Sequence, residues 1–225
     1  NPGLSQKTLE RYQAMFSGVF YDRYIRGLWV LAEGLIYPMF GEGCLVDNPP
    51  QGGQYYISCD YGTLNPFSAG LWCWDGKTAT RVAEYYYSGR QEQQHKTDED
   101  YYTALEQLAG DKHVQAVIVD PSAASFIEAL RREGFPVSKA DNDVADGIRV
   151  TANLLKQRKI VICEGCESCL AEIAAYCWED SGTGRDRPKK ERDHAMDEMR
   201  YFAVSIAKKE RGGGIAMRAV ERAAR

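Results

Sequence analysis

At 225 residues, with 44% hydrophobic and 27% charged residues, the chain can bury the core of one globular domain with appendages. We expect no membrane span and no signal peptide, because no apolar run reaches roughly 18–20 residues and the chain does not begin with a basic-then-apolar stretch. The formal net charge of −4 gives no overall attraction to nucleic acid, so any such binding must depend on local basic patches.

The N-terminal part divides into an amphipathic region and a connector. Residues 4–40 mix apolar and charged positions in a way that predicts helices, ended by Pro38 and the following Gly-Glu-Gly. The Pro/Gly-rich stretch 47–54 predicts a connector and is the best domain boundary in the chain. The resulting division is a helical linker segment over residues 1–52, a domain over residues 53–207 and a basic tail over residues 208–225.

The segment after the connector has the pattern of strands. Residues 55–62 form a short β-rich run, and residues 67–89 predict two strands joined in a hairpin at Asp75-Gly76. A capping residue, acids in the first turn and a final glycine predict a helix over residues 97–110. The nearly continuous apolar run 114–123 is typical of a strand covered on both faces.

Helices and strands alternate in the remainder of the chain. The predicted helices cover residues 125–134, 144–158, 168–180 and 194–210, and the predicted strands cover residues 136–140 and 159–163. Three early strands followed by this alternation predict an α/β fold with a mixed central sheet flanked by helices.

Two carboxylates lie where predicted strands end. Asp60 closes the strand 55–62, and Asp120 closes the apolar run that begins at residue 114. A carboxylate where a buried strand meets a loop lies at the edge of the sheet where α/β proteins build their sites. Each acid alone is more typical of a turn or a cap, but two at equivalent strand ends, with an acid on a helix, form a less ordinary set.

The last predicted helix supplies that third acid, Asp197, with His194 and Asp193 three and four positions before it on the same face. An apolar face between Met199 and Ile206 predicts that this helix packs on the sheet. Carboxylates that converge on one point repel one another, and a divalent cation removes that cost. Oxygen-rich sites suit Mg²⁺ or Mn²⁺, and two such ions about 4 Å apart can hold the attacking and leaving oxygens of a phosphodiester.

Three short stretches carry a family resemblance. "SCDYG" at 58–62, "VIVDPSA" at 117–123 and "DHAMDEMRYF" at 193–202, in this order, resemble the nuclease domain of tailed-phage terminase large subunits. The resemblance extends over about residues 53–207, and the third stretch is the most specific. Upstream, residues 29–40 are similar to the stretch that joins the packaging ATPase of this family to its nuclease.

The resemblance implies an RNase H-like, metal-dependent endonuclease that cuts concatemeric double-stranded viral DNA during genome packaging by two-metal-ion hydrolysis. It implies that Asp60, Asp120 and Asp197 are the catalytic metal ligands, and that His194 is an auxiliary ligand or an orienting group. Asp193 is expected to cap the helix. The implied cofactors are two Mg²⁺ or Mn²⁺ ions.

The resemblance also implies partners. Proteins of this family carry an N-terminal ATPase domain, so residues 1–52 are expected to be the remnant of the segment that joins to it. Besides double-stranded DNA, the expected partners are the portal protein and the small terminase subunit, with no membrane partner. The expected location is the bacterial host cytoplasm, at the viral prohead.

A basic stretch directly precedes the last predicted helix. Residues 185–192 hold five basic side chains against two acids, which predicts either a solvated charged face or a surface that binds the DNA backbone. The residues predicted to contact DNA beside the site are Arg187, Lys189, Lys190 and Arg192. The basic residues of the tail 208–225 are more typical of a solvated surface.

Two further motifs favour structural interpretations. The seven cysteines predict reduced thiols in a cytosolic compartment, and the two-residue gaps between Cys163, Cys166 and Cys169 leave a zinc or iron–sulfur site as the alternative. Cys163 ends an apolar strand and Cys177 lies in a predicted helix, which favours structural thiols. Residues 70–78 end like a phosphate-binding loop, but five residues separate the glycines where that motif needs four, so we expect no ATP site there.

Two alternatives to a packaging nuclease remain open. One is another RNase H-like nuclease of the junction-resolvase or transposase type, against which the linker-like N-terminal segment argues. The other is a non-catalytic module that docks on DNA or on a portal, whose acids serve only as caps and turns. Such a module predicts no stabilisation by Mg²⁺ or Mn²⁺, whereas a true metal site stabilises the folded state by mass action.

Overall fold

The structure is a computed structural model that describes residues 34–179, 186–210 and 212. Its centre is a seven-stranded mixed sheet with the strand order β1-β7-β4-β3-β2-β5-β6. The strands are β1 Leu45–Val46, β2 Gln54–Asp60, β3 Phe67–Trp74, β4 Ala79–Tyr87, β5 Val114–Val119, β6 Val137–Lys139 and β7 Ile160–Cys163. The α-helices of the described part are α1 Gly89–Glu92, α2 Asp98–Ala109, α3 Ala124–Arg132, α4 Val144–Lys156, α5 Glu167–Ala175 and α6 His194–Glu210.

Strand pairing confirms the predicted mixed sheet. β2, β3 and β4 form an antiparallel meander, with the predicted hairpin turn between β3 and β4. β5 pairs with β2 in parallel and β6 with β5 in parallel, while β7 lies parallel to both β4 and β1. The parallel pairs require crossover connections, and these contain the helices that the sequence predicts between the strands.

Helices cover both faces of the sheet. Adjacent strand residues point to opposite faces, so each strand contributes side chains to the cores on both sides. Ile57 and Val117 belong to the core on one face, which α2 and α3 cover. Their neighbours Tyr56 and Ile118 belong to the core on the other face, which α4, α5 and α6 cover. Among the described residues no helix is both long and apolar enough to cross a membrane.

The segment before β2 differs from its prediction. Residues 4–33 of the predicted helical region 4–40 lie outside the described residues. For residues 34–40 the prediction of helix is wrong. Leu35 forms an isolated β-bridge with Cys177, and Tyr37 is buried in the core. The edge strand β1 then pairs with β7. Residues 34–46 therefore pack on the sheet, and the division of the chain at residue 52 remains a prediction.

The predicted helix 168–180 is wrong beyond Ala175, where α5 ends. Tyr176 has an extended backbone, its carbonyl accepts the N–H of Ile36 at 2.9 Å, and its ring packs 5.6 Å from that of Tyr37. Cys177 consequently lies in an isolated β-bridge with Leu35, and not in an amphipathic helix. Pairing with the segment around residue 35 replaces the last helical turn because it buries both tyrosine rings.

Candidate active site

Asp60 and Asp120 lie side by side at the edge of the sheet that is formed by the carboxyl-terminal ends of β2 and β5. Asp60 is the last residue of β2, and Asp120 directly follows β5. These strands are parallel and adjacent, with Cys59 opposite Val119 in the register, so their carboxyl ends coincide. The structure therefore brings these two predicted residues together at the edge where α/β folds place their sites.

Helix α6 brings the other two predicted residues to the same edge. It begins at His194, contains Asp197 in its first turn and contacts β2, β3 and β5. Its apolar face is fully buried, and the ring of Phe202 stacks on that of Trp72 with centroids 4.2 Å apart. This packing fixes the rotation of the helix, and with it the direction of its first turn.

A buried polar network holds α6 to the strands. Both carboxylate oxygens of Glu198 lie 2.6 Å from Nη1 of Arg81 on β4, and both side chains are fully buried. Ser58 on β2 donates to Glu198 at 2.8 Å and accepts from Nε1 of Trp72 at 2.8 Å. Removing charges from water is costly unless they are paired and hydrogen-bonded, as they are here. Glu198 therefore locks the helix one residue after Asp197.

Glu172 of α5 supports the first turn of α6. Its Oε2 accepts the backbone N–H of Ala195 at 2.7 Å, and its Oε1 accepts the hydroxyl of Tyr86 at 2.7 Å. The free N–H groups at a helix start favour an acceptor and a negative charge. Asp193, expected as the cap, directly precedes α6, and its carboxylate accepts a hydrogen bond from the Lys190 ammonium at 2.8 Å.

Asp60 and His194 form a pair. Nδ1 of His194 lies 2.8 Å from Oδ2 of Asp60. Burial raises the pKa of Asp60, the hydrogen bond with His194 opposes this rise, and the charge of Asp197 adds to it. Burial lowers the pKa of His194, but the hydrogen bond and the charge of Asp60 outweigh burial and raise it. The contact therefore favours the charged form of each group, whereas burial works against it.

Asp120 is held by three donors. Its Oδ1 accepts the backbone N–H of Ser122 at 2.7 Å, and its Oδ2 accepts Nδ2 of Asn142 at 3.2 Å and the hydroxyl of Tyr201 at 3.0 Å. Burial raises the pKa of Asp120, but these hydrogen bonds outweigh it and lower the pKa. The side chain is consequently an oriented carboxylate.

Asp197 lies between two cations. Its Oδ1 accepts from Nη2 of Arg200 at 2.5 Å, and its Oδ2 accepts from Nζ of Lys190 at 3.2 Å. Arg200 is buried against α4, where a Cβ at Gly147 would lie 3.2 Å from its Nη1. Glycine at that position therefore leaves room for the guanidinium behind Asp197.

The hydroxyl of Tyr201, which donates to Asp120, is also affected by the charges of the other two aspartates. Burial raises the pKa of that hydroxyl, and the charges of Asp60, Asp197 and Asp120 raise it further. Each carboxylate presents oxygen atoms, the ligand type that Mg²⁺ and Mn²⁺ prefer, so the donor set fits these ions. Within the described ranges no three His, Cys, Asp or Glu side chains already stand as a metal-binding group. A divalent ion on these oxygens would have to replace contacts that hydrogen-bond donors make in this structure.

The predicted DNA-contact residues lie beside α6. Arg187, Lys189 and Arg192 are exposed, and the ammonium of Lys189 pairs with Glu191 at 2.6 Å. Lys190 differs from these three because its ammonium turns to the site carboxylates. Arg185 of the same stretch lies outside the described residues, as do residues 213–225 of the basic tail.

The cysteines belong to the core. Cys163, Cys166 and Cys169 are buried free thiols, and burial raises the pKa of Cys166 to about 12. Its Sγ lies 3.7 Å from the carbonyl oxygen of Arg81. In the part of the chain that the structure describes, these thiols form no metal-binding group with each other or with nearby acids and histidines.

Sequence reasoning missed four side chains that orient the site: Arg200, Tyr201, Asn142 and Glu172. The first two follow Asp197 by three and four positions, so helical spacing alone could have indicated them. Asn142 and Glu172 come from other elements, and no local pattern marks their approach to Asp120 or to α6.

Comparisons with known proteins match this architecture. No family model and no curated protein matches the chain. The solved large terminase of a thermophilic bacteriophage, in complex with ADP, is 46% identical with a TM-score of 0.87. The match covers 92% of this chain and 53% of that one, so the chain spans about half the length of that terminase.

Two more distant solved structures share the fold. The P22 large terminase nuclease domain is 16% identical with a TM-score of 0.61, over 76% of this chain and 92% of that one. The large terminase nuclease of the thermophilic phage G20c, with bound cobalt, is 14% identical with a TM-score of 0.60, over 76% of this chain and 96% of that one. The chain therefore belongs to the large terminase family, and its described residues have the RNase H-like fold of the terminase nuclease domain.

Proposed function

We propose that this chain is a metal-dependent endonuclease that cleaves double-stranded, concatemeric viral DNA during genome packaging. The observation that supports this most is the placement of Asp60 and Asp120 at adjacent strand ends, with Asp197 on the helix above them. Charge on three neighbouring acids is costly without a cation, and a phosphodiester is a substrate that such a cation activates.

The site residues have separate roles in this proposal. Asp60, Asp120 and Asp197 hold Mg²⁺ or Mn²⁺, with two ions as in other phosphodiester hydrolases. Bound ions supply Lewis-acid activation of water and stabilise charge on the leaving oxygen. His194 orients Asp60 or serves as an auxiliary ligand, through the 2.8 Å contact of its Nδ1. Solved forms of the similar G20c nuclease contain cobalt or magnesium, which agrees with this ion class.

The surroundings of the site suit a DNA duplex. Arg187, Lys189 and Arg192 are exposed beside α6 and would contact phosphates without reading sequence, so binding should weaken with salt. Lys190 would join them once its ammonium leaves the carboxylates. In the longer protein we propose an ATPase domain before this chain, a portal protein and a small terminase subunit as partners, and action at the prohead in the host cytoplasm.

Cleavage of supercoiled plasmid with Mn²⁺ or Mg²⁺ tests the proposal. Asp197→Ala should abolish cleavage, as should a chelator added to the wild-type chain, while the variant keeps its far-UV circular dichroism. Asp111→Ala is the matched control, because Asp111 is an exposed aspartate just before β5, at the opposite edge of the sheet. Cleavage by Asp197→Ala at the wild-type rate would contradict the assignment.

A further inference from the structure

Lys190 is the one predicted DNA-contact residue of the described stretch 186–192 whose ammonium turns inward. Its Nζ lies 2.8 Å from Oδ2 of Asp193 and 3.2 Å from Oδ2 of Asp197. The lysine side chain is 65% exposed, whereas those of Asp193 and Asp197 are 7% and 14% exposed. A solvent-facing cation is thus placed on two carboxylates that solvent reaches poorly.

The two oxygens of Asp197 are not equivalent. Oδ1 is held at 2.5 Å by Nη2 of Arg200, whose side chain is 2% exposed and cannot withdraw without leaving a buried charge unpaired. Oδ2 therefore remains as the oxygen that a second cation can approach, and Lys190 lies on it. A divalent ion that uses this oxygen competes with the ammonium for the same lone pairs.

Charge accounts for the position of the ammonium. Asp193 and Asp197 both lie within 3.2 Å of the same ammonium, so their carboxylates are neighbours. Without a cation these acids repel one another at the edge of the sheet. The ammonium reaches both carboxylates, with hydrogen bonds of 2.8 Å to Asp193 and 3.2 Å to Asp197. The ammonium thus supplies the positive charge that the acids require.

We propose that Lys190 is an internal counter-ion of the metal site, which a divalent cation must displace from Asp197 when it binds. This inference rests on the proposed function, because it requires that Asp197 is a metal ligand. Displacement costs the ion pair, so Lys190 weakens metal binding. By linkage, bound metal in turn releases the ammonium to solvent.

Binding of Mn²⁺ to the 225-residue chain, followed by the electron paramagnetic resonance signal of the free ion, tests the proposal without any cleavage assay. Lys190→Met and Lys190→Gln should both bind Mn²⁺ about two- to fivefold more tightly than wild type, as expected for loss of a partly exposed ion pair. Lys112→Met is the matched control, since it removes one lysine that pairs with an aspartate before β5, at the opposite edge. Its Mn²⁺ affinity should equal that of wild type.

A second measurement reports on the ammonium itself. Two carboxylates hold the ammonium in place, so an acetylating reagent should modify Lys190 slowly in chelator and several-fold faster with saturating Mg²⁺, as read by mass spectrometry. Lys112 should react equally in both. Wild-type binding with unchanged or weaker affinity in the Lys190 variants overturns this inference alone. Absence of Mn²⁺ binding in every variant overturns the proposed function and this inference with it.

Discussion

The imidazole of His194 and the carboxylate of Asp60 join the start of α6 to the end of β2. Their contact of 2.8 Å links residues that are 134 positions apart in the chain. The histidine is the first residue of its helix and the aspartate the last of its strand, so each lies where regular structure gives way to the site. The hydrogen bond fixes which oxygen of Asp60 remains available to another ligand.

His194→Ala should therefore lower plasmid cleavage about 10- to 100-fold, the usual cost of losing a group that orients a metal ligand. The physical reason is that Asp60 loses the partner that holds its Oδ2. Cleavage rates at saturating Mn²⁺ measure the effect. His113→Ala is the control, because His113 is exposed just before β5, at the opposite edge, and its loss should not change the rate. An equal rate in wild type and His194→Ala would exclude an orienting role.

Glu198→Gln should destabilise the fold by about 1–3 kcal/mol, because the fully buried guanidinium of Arg81 loses the closer of its two carboxylates and keeps only Glu84, 3.3 Å away. Urea unfolding of wild type and variant, followed by circular dichroism, measures the difference. Glu128→Gln removes a comparable ion pair, 2.8 Å from Arg131, whose glutamate is 63% exposed. That control should change stability by less than about 1 kcal/mol. Similar losses in both variants would contradict the special cost of the buried pair.

Gly70→Ala should disturb the same network. A Cβ at Gly70 would overlap Oε1 of Glu198 and Nη1 of Arg81, so one of these buried groups must move. Overpacking of this kind costs typically about 1–3 kcal/mol. Gly165→Ala is the control, because nothing lies within 4 Å of its added Cβ. The urea midpoint of unfolding should fall for Gly70→Ala and stay unchanged for Gly165→Ala. A wild-type midpoint for Gly70→Ala would show that Glu198 and Arg81 can rearrange at little cost in stability.

The sequence indicates which elements carry the candidate residues better than it indicates the polar groups around them. Asp60 and Asp120 follow from strand ends and Asp197 from helical spacing, because parallel pairing and the helix period are regular, and their role as metal ligands stays a prediction. The approach of Asn142 to Asp120 depends on a loop between β6 and α4, whose path no periodic pattern encodes. The inward turn of Lys190 is likewise unpredictable, since charge runs are usually solvated.

The errors along the chain have a similar origin. Residues 34–40 carry a helical pattern, yet they pair with the segment after α5, and the prediction for residues 168–180 fails at that same contact. Each segment alone favours helix weakly. Packing of Tyr37 on Tyr176 in the core outweighs that preference, because tertiary burial exceeds the few tenths of a kcal/mol that separate ordinary residues in helix propensity.

Glu172 permits a test of charge against hydrogen bonding at the start of α6. Burial raises its pKa above the ordinary value of 4.5, opposed by the hydrogen bonds from Tyr86 and from the Ala195 N–H. A raised pKa in the folded state means that this group favours folding most below its unfolded pKa, and that the advantage is lost as pH rises through the folded pKa. Neither Gln nor Ala can ionise, so both variants should gain stability relative to wild type as pH rises above about 4.5.

The two variants should nevertheless differ by a constant offset. Glu172→Gln keeps an acceptor for the Ala195 N–H, whereas Glu172→Ala leaves both Ala195 and Tyr86 without this partner and should be less stable by about 1–3 kcal/mol at every pH. Urea unfolding in chelator at about pH 5, 6 and 7.5, which spans the range above the ordinary pKa, measures slope and offset together. Parallel, separated curves relative to wild type assign the slope to the carboxylate charge and the offset to the hydrogen bonds. Coincident curves would mean that the helix start does not need the acceptor, and a slope of opposite sign would mean that the folded pKa of Glu172 is depressed.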